Sequence, residues 1–226
     1  RIYGDHLVMT SDRGIMADIN KVFTVLKKPK EDYLSVLKTC KKLLVCPQFM
    51  REKIIAHIDQ DVEEAKAGRR SEMIIKTNSL SDRTLIEKLY EAAMAGVNIR
   101  LIVRGIYCAV NQKEFKEKIK AISIVDEYLE HARVMYFHSK GNEDLYISSA
   151  DWMTRNLDHR IEVAAKITQK NLKKELKDIL EIQLSDNVKA RILDKKLRNE
   201  YVKNDHKEIR SQIETYHYLK SKVPKE

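Results

Sequence analysis

Tyr146-Ile-Ser-Ser-Ala-Asp-Trp-Met-Thr-Arg-Asn-Leu-Asp-His-Arg-Ile-Glu-Val163 is an apolar step, a polar arc and an apolar return. Leu145 to Ile147 reads as a short strand, the polar residues as the loop it opens into, and Arg160 as the start of a second strand. Two serines, two aspartates, two arginines, an asparagine and the only tryptophan of the chain fall between Ser148 and Arg160. Such a density of donors and acceptors suits a loop that holds a polyanion, because each phosphate oxygen calls for an N–H, O–H or guanidinium partner. The competing explanation is a connecting loop whose side chains cap its own backbone.

Working outward, strands and helices alternate. Lys42–Cys46 is a short apolar strand, and Pro47 opens a helix to about Ala67 that Gly68 stops. Glu72–Lys76 is a strand; Ser81 or Asp82 caps a helix to Ala95, and Gly96 ends it. Asn98–Val103 is a buried strand rich in β-branched residues. A loop with a short helix at 111–118 leads to strands near 121–124, 133–137 and 144–147. A strand from Arg160 to Thr168 precedes a helix from about Asn171 to Leu184, with further helices at about 186–197 and 206–221. This alternation predicts an α/β (α+β) fold, a layered sheet with helices on both faces. At the start, residues 7–10 read as a strand, and Ser11-Asp12 caps a helix to about Leu26, closed by Lys27-Lys28-Pro29. The strand–helix order from Arg1-Ile to Thr10 recurs from Arg160-Ile to Thr168. That repetition points to two copies of one unit, with chance similarity as the alternative.

The 226 residues suffice for one substantial core, or one domain with the tail of another. The chain opens on Arg1 without a methionine, directly in an apparent strand, so it reads as a piece of a longer polypeptide. No apolar run of about 18 residues is present to span a bilayer, and no signal-peptide pattern opens the chain. Cys40, Cys46 and Cys108 have neither metal-ligand spacing nor an even disulfide framework, which suits a reducing cytoplasm. The net charge of +9 is concentrated late: residues 166–226 hold 16 Lys/Arg against 10 Asp/Glu. That bias favours an anionic partner, whether nucleic acid, nucleotide, polyphosphate or an acidic membrane surface. A solvated helical face would equally explain Lys173, Glu175, Lys177 and Asp178, which mix both signs. The cations are not interleaved with exposed aromatics and no nucleic-acid motif appears, so nucleic acid is not the expected partner.

Arg104 follows four apolar strand residues and precedes Gly105, so it emerges at the carboxyl end of a buried strand, the edge where open α/β sheets bind ligands. A guanidinium there can grip two phosphate oxygens, and Gly105 lets the backbone come close. The alternative is a salt bridge to Asp126 or Glu130. His131 is either a hydrogen-bonded structural histidine or an acid/base group, with Glu130 and Asp126 as neighbours able to orient its ring.

The runs Lys76-Thr-Asn78-Ser-Leu, Leu-Ile-Val-Arg104-Gly, Ser-Ile-Val-Asp126 to Leu-Glu-His131, and Ser-Ser-Ala-Asp-Trp-Met-Thr-Arg-Asn-Leu-Asp resemble the C-terminal region of the polyphosphate kinase family, in order and over nearly the whole chain. The resemblance implies a phospholipase D-like fold present as the second copy of an internal repeat. Residues 1–30 would be the tail of the first copy and 31–226 the second domain. His131-Ala-Arg133 and Ser148-Ser-Ala-Asp151 are similar to the His-x-Lys and Gly/Ser-x-x-Asn patterns of that fold, with Arg for Lys and Asp for Asn. Position 138 is His where the phosphodiesterases carry Asp, which ranks hydrolysis below phosphoryl transfer. The resemblance further implies reversible transfer of the ATP γ-phosphate to polyphosphate through a phosphohistidine upstream of Arg1. It assigns ATP contacts to Tyr3, Arg104 and His131, with His131 as a catalytic candidate, and a polyphosphate loop to Arg133, Asp151 and Arg155. ATP/ADP and polyphosphate are the implied ligands. Mg²⁺ ligands would lie outside this chain, which itself offers no metal site. A homo-oligomeric, cytoplasmic enzyme with a peripheral place at the inner membrane is the remaining implication. The sequence departs from the family at Tyr107, where most members carry Cys.

Overall fold

A computed structural model of the chain describes residues 3–27, 32–196 and 198–223. In chain order the elements are β1 (Tyr3–Gly4), α1 (Arg13–Lys27), α2 (Tyr33–Leu37), β2 (Leu43–Val45), α3 (Phe49–Lys66), β3 (Glu72–Thr77), α4 (Arg83–Ala95), β4 (Asn98–Val103) and β5 (Lys120–Ile124). They continue with β6 (Leu129–Glu130), β7 (Val134–Ser139), β8 (Asn142–Ser148), α5 (Thr154–His159), β9 (Val163–Lys166), α6 (Lys170–Leu184), β10 (Ala190–Ile192) and α7 (Ser211–Lys220). Eight strands form one mixed sheet in the order β10-β5-β4-β3-β7-β8-β9-β2, and β1 pairs with β6 apart from it. β3, β4 and β5 run parallel; β7 is antiparallel to β3, and β8 to β7.

All six residues of β3 are buried, as expected of a central strand covered on both faces. Met73 and Ile75 join a core with Ile54 and Ile58 of α3 and Leu85 and Leu89 of α4. Ile74 points the other way, into a second core with Tyr136 and Leu180 of α6. Helices therefore cover both faces, the layering anticipated from the alternation of elements. α4 earns its place by pattern, since Leu85, Ile86, Leu89, Ala92 and Ala93 form one apolar stripe. Asp82 accepts the Leu85 N–H at its start, and Gly96, at φ 101°, closes its end. α1 is tied to the sheet by Asp18, whose buried carboxylate accepts the N–H groups of Lys41, Lys42 and Leu43 at 2.8, 2.6 and 3.1 Å. No helix among the described residues is long and apolar enough to cross a membrane.

Several local expectations are corrected. Residues 7–10 are not a strand: Leu7 and Met9 are 86% and 89% exposed, and no strand among the described residues pairs with them. Residues 111–118 are a loop rather than a helix, clasped by the Asn111 amide, which bonds both the N–H and the carbonyl of Ile119. The strand expected over 160–168 contracts to β9, and the polar loop before it contains the six-residue helix α5. The helix expected at 186–197 does not form. Asp186 is fully buried, and one of its oxygens collects the N–H groups of Val188, Lys189 and Ala190, turning the chain into β10. Its other oxygen takes the Ser211 N–H at 2.7 Å, so the last helix begins there and not at 206. The expected stop at Lys28-Pro29 and the boundary between residues 30 and 31 lie outside the described residues.

Asp61 on α3 is fully buried, and neither oxygen makes a well-formed hydrogen bond among the described residues. Burial, against the nearby Ser139 and Ser71 hydroxyls, pushes its carboxyl up to about 8, and the Glu64 and Glu72 charges push the same way. A folded-state value above the unfolded one means that the fold favours the protonated form. The stabilising contribution is then complete below about pH 4 and is lost as pH rises toward 8. Asp61→Asn, which is neutral throughout, should raise the melting temperature more at pH 8.5 than at pH 5. Equal shifts at the two pH values would show that Asp61 is not titrating in this window.

Candidate functional site

The C-terminal ends of β3, β4 and β8 share one edge of the sheet, and the chain re-enters that edge at His131–Arg133 on its way into β7. Asp151 sits just beyond β8, its side chain 8% exposed. One carboxylate oxygen accepts the Thr77 hydroxyl at 3.0 Å, the Asn78 N–H at 2.9 Å and Arg133 Nε at 3.0 Å; the other accepts Arg133 Nη2 at 3.2 Å. Burial alone would raise this carboxyl, but the Arg133 guanidinium and the bonds from Asn78 and Thr77 hold it below its ordinary value. The remaining Arg133 nitrogen donates to the His131 carbonyl at 3.3 Å. Both ends of this pair are thus committed to protein, so Asp151 and Arg133 order the loops rather than presenting a free charge.

Asn78 is the junction between the two central candidates. Its amide donates to the His131 carbonyl at 3.3 Å, and its side-chain oxygen accepts Arg104 Nε at 2.9 Å. The loops after β3 and β4 lie close enough for the Gly105 N–H to reach the Asn78 carbonyl at 2.8 Å. A Cβ at Gly105 would stand 3.0 Å from that oxygen, so the close approach anticipated for this glycine is to a neighbouring loop. Arg104 forms no ion pair with Asp126 or Glu130, contrary to that alternative. Asp126 is held by Arg210 at 2.8 and 2.7 Å, and Glu130 by Lys76, Gln183 and Gln212. The two terminal nitrogens of Arg104 have no hydrogen-bond partner among the described residues.

His131 is also oriented differently from expectation. Asp5, from the start of the chain, meets its ring. Nδ1 lies 3.0 Å from Asp5 Oδ2, and the backbone N–H donates to the Gly4 carbonyl at 3.0 Å. Asp5 is lowered below its ordinary value: burial works against this, but the bonds from His131 and the His6 N–H prevail. The ring is about one-third exposed and opens on a cleft of about 410 Å³ that Arg133, Ser148 and Ser149 also line. Tyr3 lies in β1, its backbone paired with Leu129, but its side chain lies outside the described residues. Arg155 is exposed on α5. Asn78, Asp5 and the buried Lys76–Glu130 pair were missed as site residues. The polar run at the end of β3, beside the strand carrying Arg104, was the available signal for the first. Among the described residues, no group of three His, Cys, Asp or Glu side chains is placed to hold a metal ion.

Asp151→Asn should destabilise the fold by about 3 kcal/mol, because it leaves a buried guanidinium without its counter-charge. Denaturant unfolding checks this, and a loss under about 1 kcal/mol, typical of an exposed pair, would remove Asp151 from its organising role.

A family model described as polyphosphate kinase C-terminal domain 2 matches residues 43–212. The polyphosphate kinase of Vibrio parahaemolyticus is 43% identical over 223 residues, which cover 98% of this chain and 31% of that protein. The polyphosphate kinase of Escherichia coli K12 is 40% identical over the same length, covering 98% and 32%. The crystal structure of polyphosphate kinase from Porphyromonas gingivalis superposes with a TM-score of 0.90 and 43% identity, over 98% of this chain and 34% of that one. The chain spans about a third of the length of these relatives. Sequence, family model and backbone agree: the chain belongs to the polyphosphate kinase family, and most of it corresponds to the family's second C-terminal domain.

Proposed function

We propose that this chain is the nucleotide- and phosphate-binding part of an enzyme that moves the ATP γ-phosphate reversibly to polyphosphate through a phosphohistidine supplied upstream. The observation that carries the reading is Arg104: a guanidinium at the ligand-binding edge, steadied through Nε by Asn78, with both terminal nitrogens unbonded among the described residues. That arrangement suits bidentate grip of nucleotide phosphate oxygens. Tyr3, at the start of β1, is the proposed adenine contact, and Arg155, exposed beyond the polar loop, a proposed polyphosphate contact.

His131 is the proposed acid/base. Nδ1 lies on Asp5, and Nε2 is the nitrogen proposed to meet a phosphate. As the bond between the γ-phosphorus and the bridging oxygen breaks, negative charge builds on the departing ADP oxygen, and a proton at Nε2 meets it. In the reverse direction the same nitrogen takes the proton back. Asp5 steadies the ring in both directions.

In the intact kinase, His131→Ala should lower turnover by a factor of about 10²–10⁴ with little change in KM for ATP. Arg104→Ala should weaken nucleotide binding about tenfold, about 1.4 kcal/mol, as well as slowing transfer. His131→Gln keeps a donor without a titrating proton, so near-normal turnover in that variant would reduce His131 to a hydrogen-bonding ligand. The 226-residue chain alone should bind ADP weakly and make no polyphosphate from ATP. Robust synthesis by it would put the nucleophile among its own seven histidines and overturn the division of labour.

A further inference from the structure

The lysines concentrated after residue 165 play no part in the site described above, yet the fold gathers them around a larger cleft of about 1120 Å³. This cleft lies at the opposite edge of the sheet, where the β7–β8 hairpin turns. β7 begins beside Arg133 and ends at Ser139, so the two edges are separated by six strand residues, about 20 Å. Lys170, Lys173, Lys174 and Lys177 follow i, i+3, i+4, i+7 spacing and form one stripe of α6, while Leu176 and Leu180 of the same helix pack on the sheet. Lys166, at the end of β9, extends the stripe, and all five lysines line the cleft.

Carboxylates offset part of this charge. Lys166 pairs with Asp144, Lys177 with Glu143 and Lys174 with Asp178, each at 2.6 Å. Lys173 donates only to the Glu143 carbonyl, at 2.9 Å, and Lys170 has no ion pair or hydrogen bond among the described residues. Two positive charges therefore stand uncompensated in a groove where three further lysines can exchange partners. The walls also say which polyanion fits. Phe137 and Tyr136 are buried, His57 is stacked on Phe137 at 4.8 Å, and no arginine lines the cleft. Nothing there offers a base an exposed ring to stack on, as single-stranded nucleic acid requires. Flexible ammonium groups spread over two turns, about 10 Å of helix, suit instead a uniform chain of phosphates.

We infer that this cleft is a second binding site for inorganic polyphosphate, holding a length of the polymer away from the nucleotide edge. The inference rests on the kinase reading for the identity of the polymer, and its geometry is independent of Arg104 and His131. The test uses the 226-residue chain and three probes: medium-chain polyphosphate, ADP, and single-stranded RNA of matched charge. Lys170→Glu/Lys173→Glu should weaken polyphosphate binding at least tenfold and flatten its salt dependence, while ADP affinity stays within twofold. In the unmodified protein, polyphosphate should protect Lys170 and Lys173 from acetylation, read by mass spectrometry, and ADP should not. Unchanged polyphosphate affinity in the double variant, absent protection, or no polyphosphate binding by the unmodified protein at low salt would each overturn the inference. In all three cases, retained ADP binding would leave the nucleotide site standing. Equal protection by RNA would overturn the assignment to a base-free polymer, whereas loss of ADP binding alone would count against the kinase reading and not against this cleft.

Discussion

One buried carboxylate holds the candidate edge together. Asp151 is removed from water and must find its compensation within the protein, which it does in a guanidinium, a hydroxyl and a backbone N–H from two other segments. Those bonds tie the loop after β8 to the end of β3 and to the entry of β7. Asn78 receives one of them on its backbone, and its side chain then joins Arg104 to the His131 segment. The positions of Arg104 and His131 relative to each other therefore depend on a charge that is itself bonded within the protein. Within the polar arc, Asp151 organises residues that reach solvent.

A second buried pair works on the other face of the same strand end. Because side chains alternate along β3, Thr77 turns to Asp151 while Lys76 turns to Glu130. Burial holds the Lys76 ammonium below its ordinary range even with Glu130 against it. Gln183 of α6 and Gln212 of α7 complete the shell around Glu130, so both late helices are anchored to β6. His131 thus lies between two locked neighbours, Glu130 on one side and Arg133 through the next residue but one. A histidine steadied in this way presents its ring with little backbone freedom, which suits the role proposed for it.

Electrostatically the molecule is divided. At the candidate edge the charges are few, paired and largely buried, leaving one guanidinium open. At the far edge they are many, exposed and only partly balanced. These different designs suit the proposed polymer and the proposed nucleotide respectively, since the first needs tolerance of sliding and the second needs a fixed grip.

The sequence by itself was enough for whatever depends on near neighbours. The cap at Asp82, the stops at Gly68 and Gly96 and the buried strand Asn98–Val103 all appear where expected, because capping, left-handed turns and apolar periodicity are local physics. The same locality placed Arg104 at the carboxyl end of a buried strand. Contacts between residues far apart in the chain were decided only by tertiary structure. A helix is expected from about residue 186, yet Asp186 prevents it by collecting three following N–H groups and that of Ser211, 25 residues away. His131 finds an orienting partner in Asp5, 126 positions distant, because β1 pairs with β6 and brings Asp5 to the ring. Whether a charged side chain meets a ligand or another part of the fold depends on which buried groups must be neutralised, and that is settled only when the sheet brings its strand ends together.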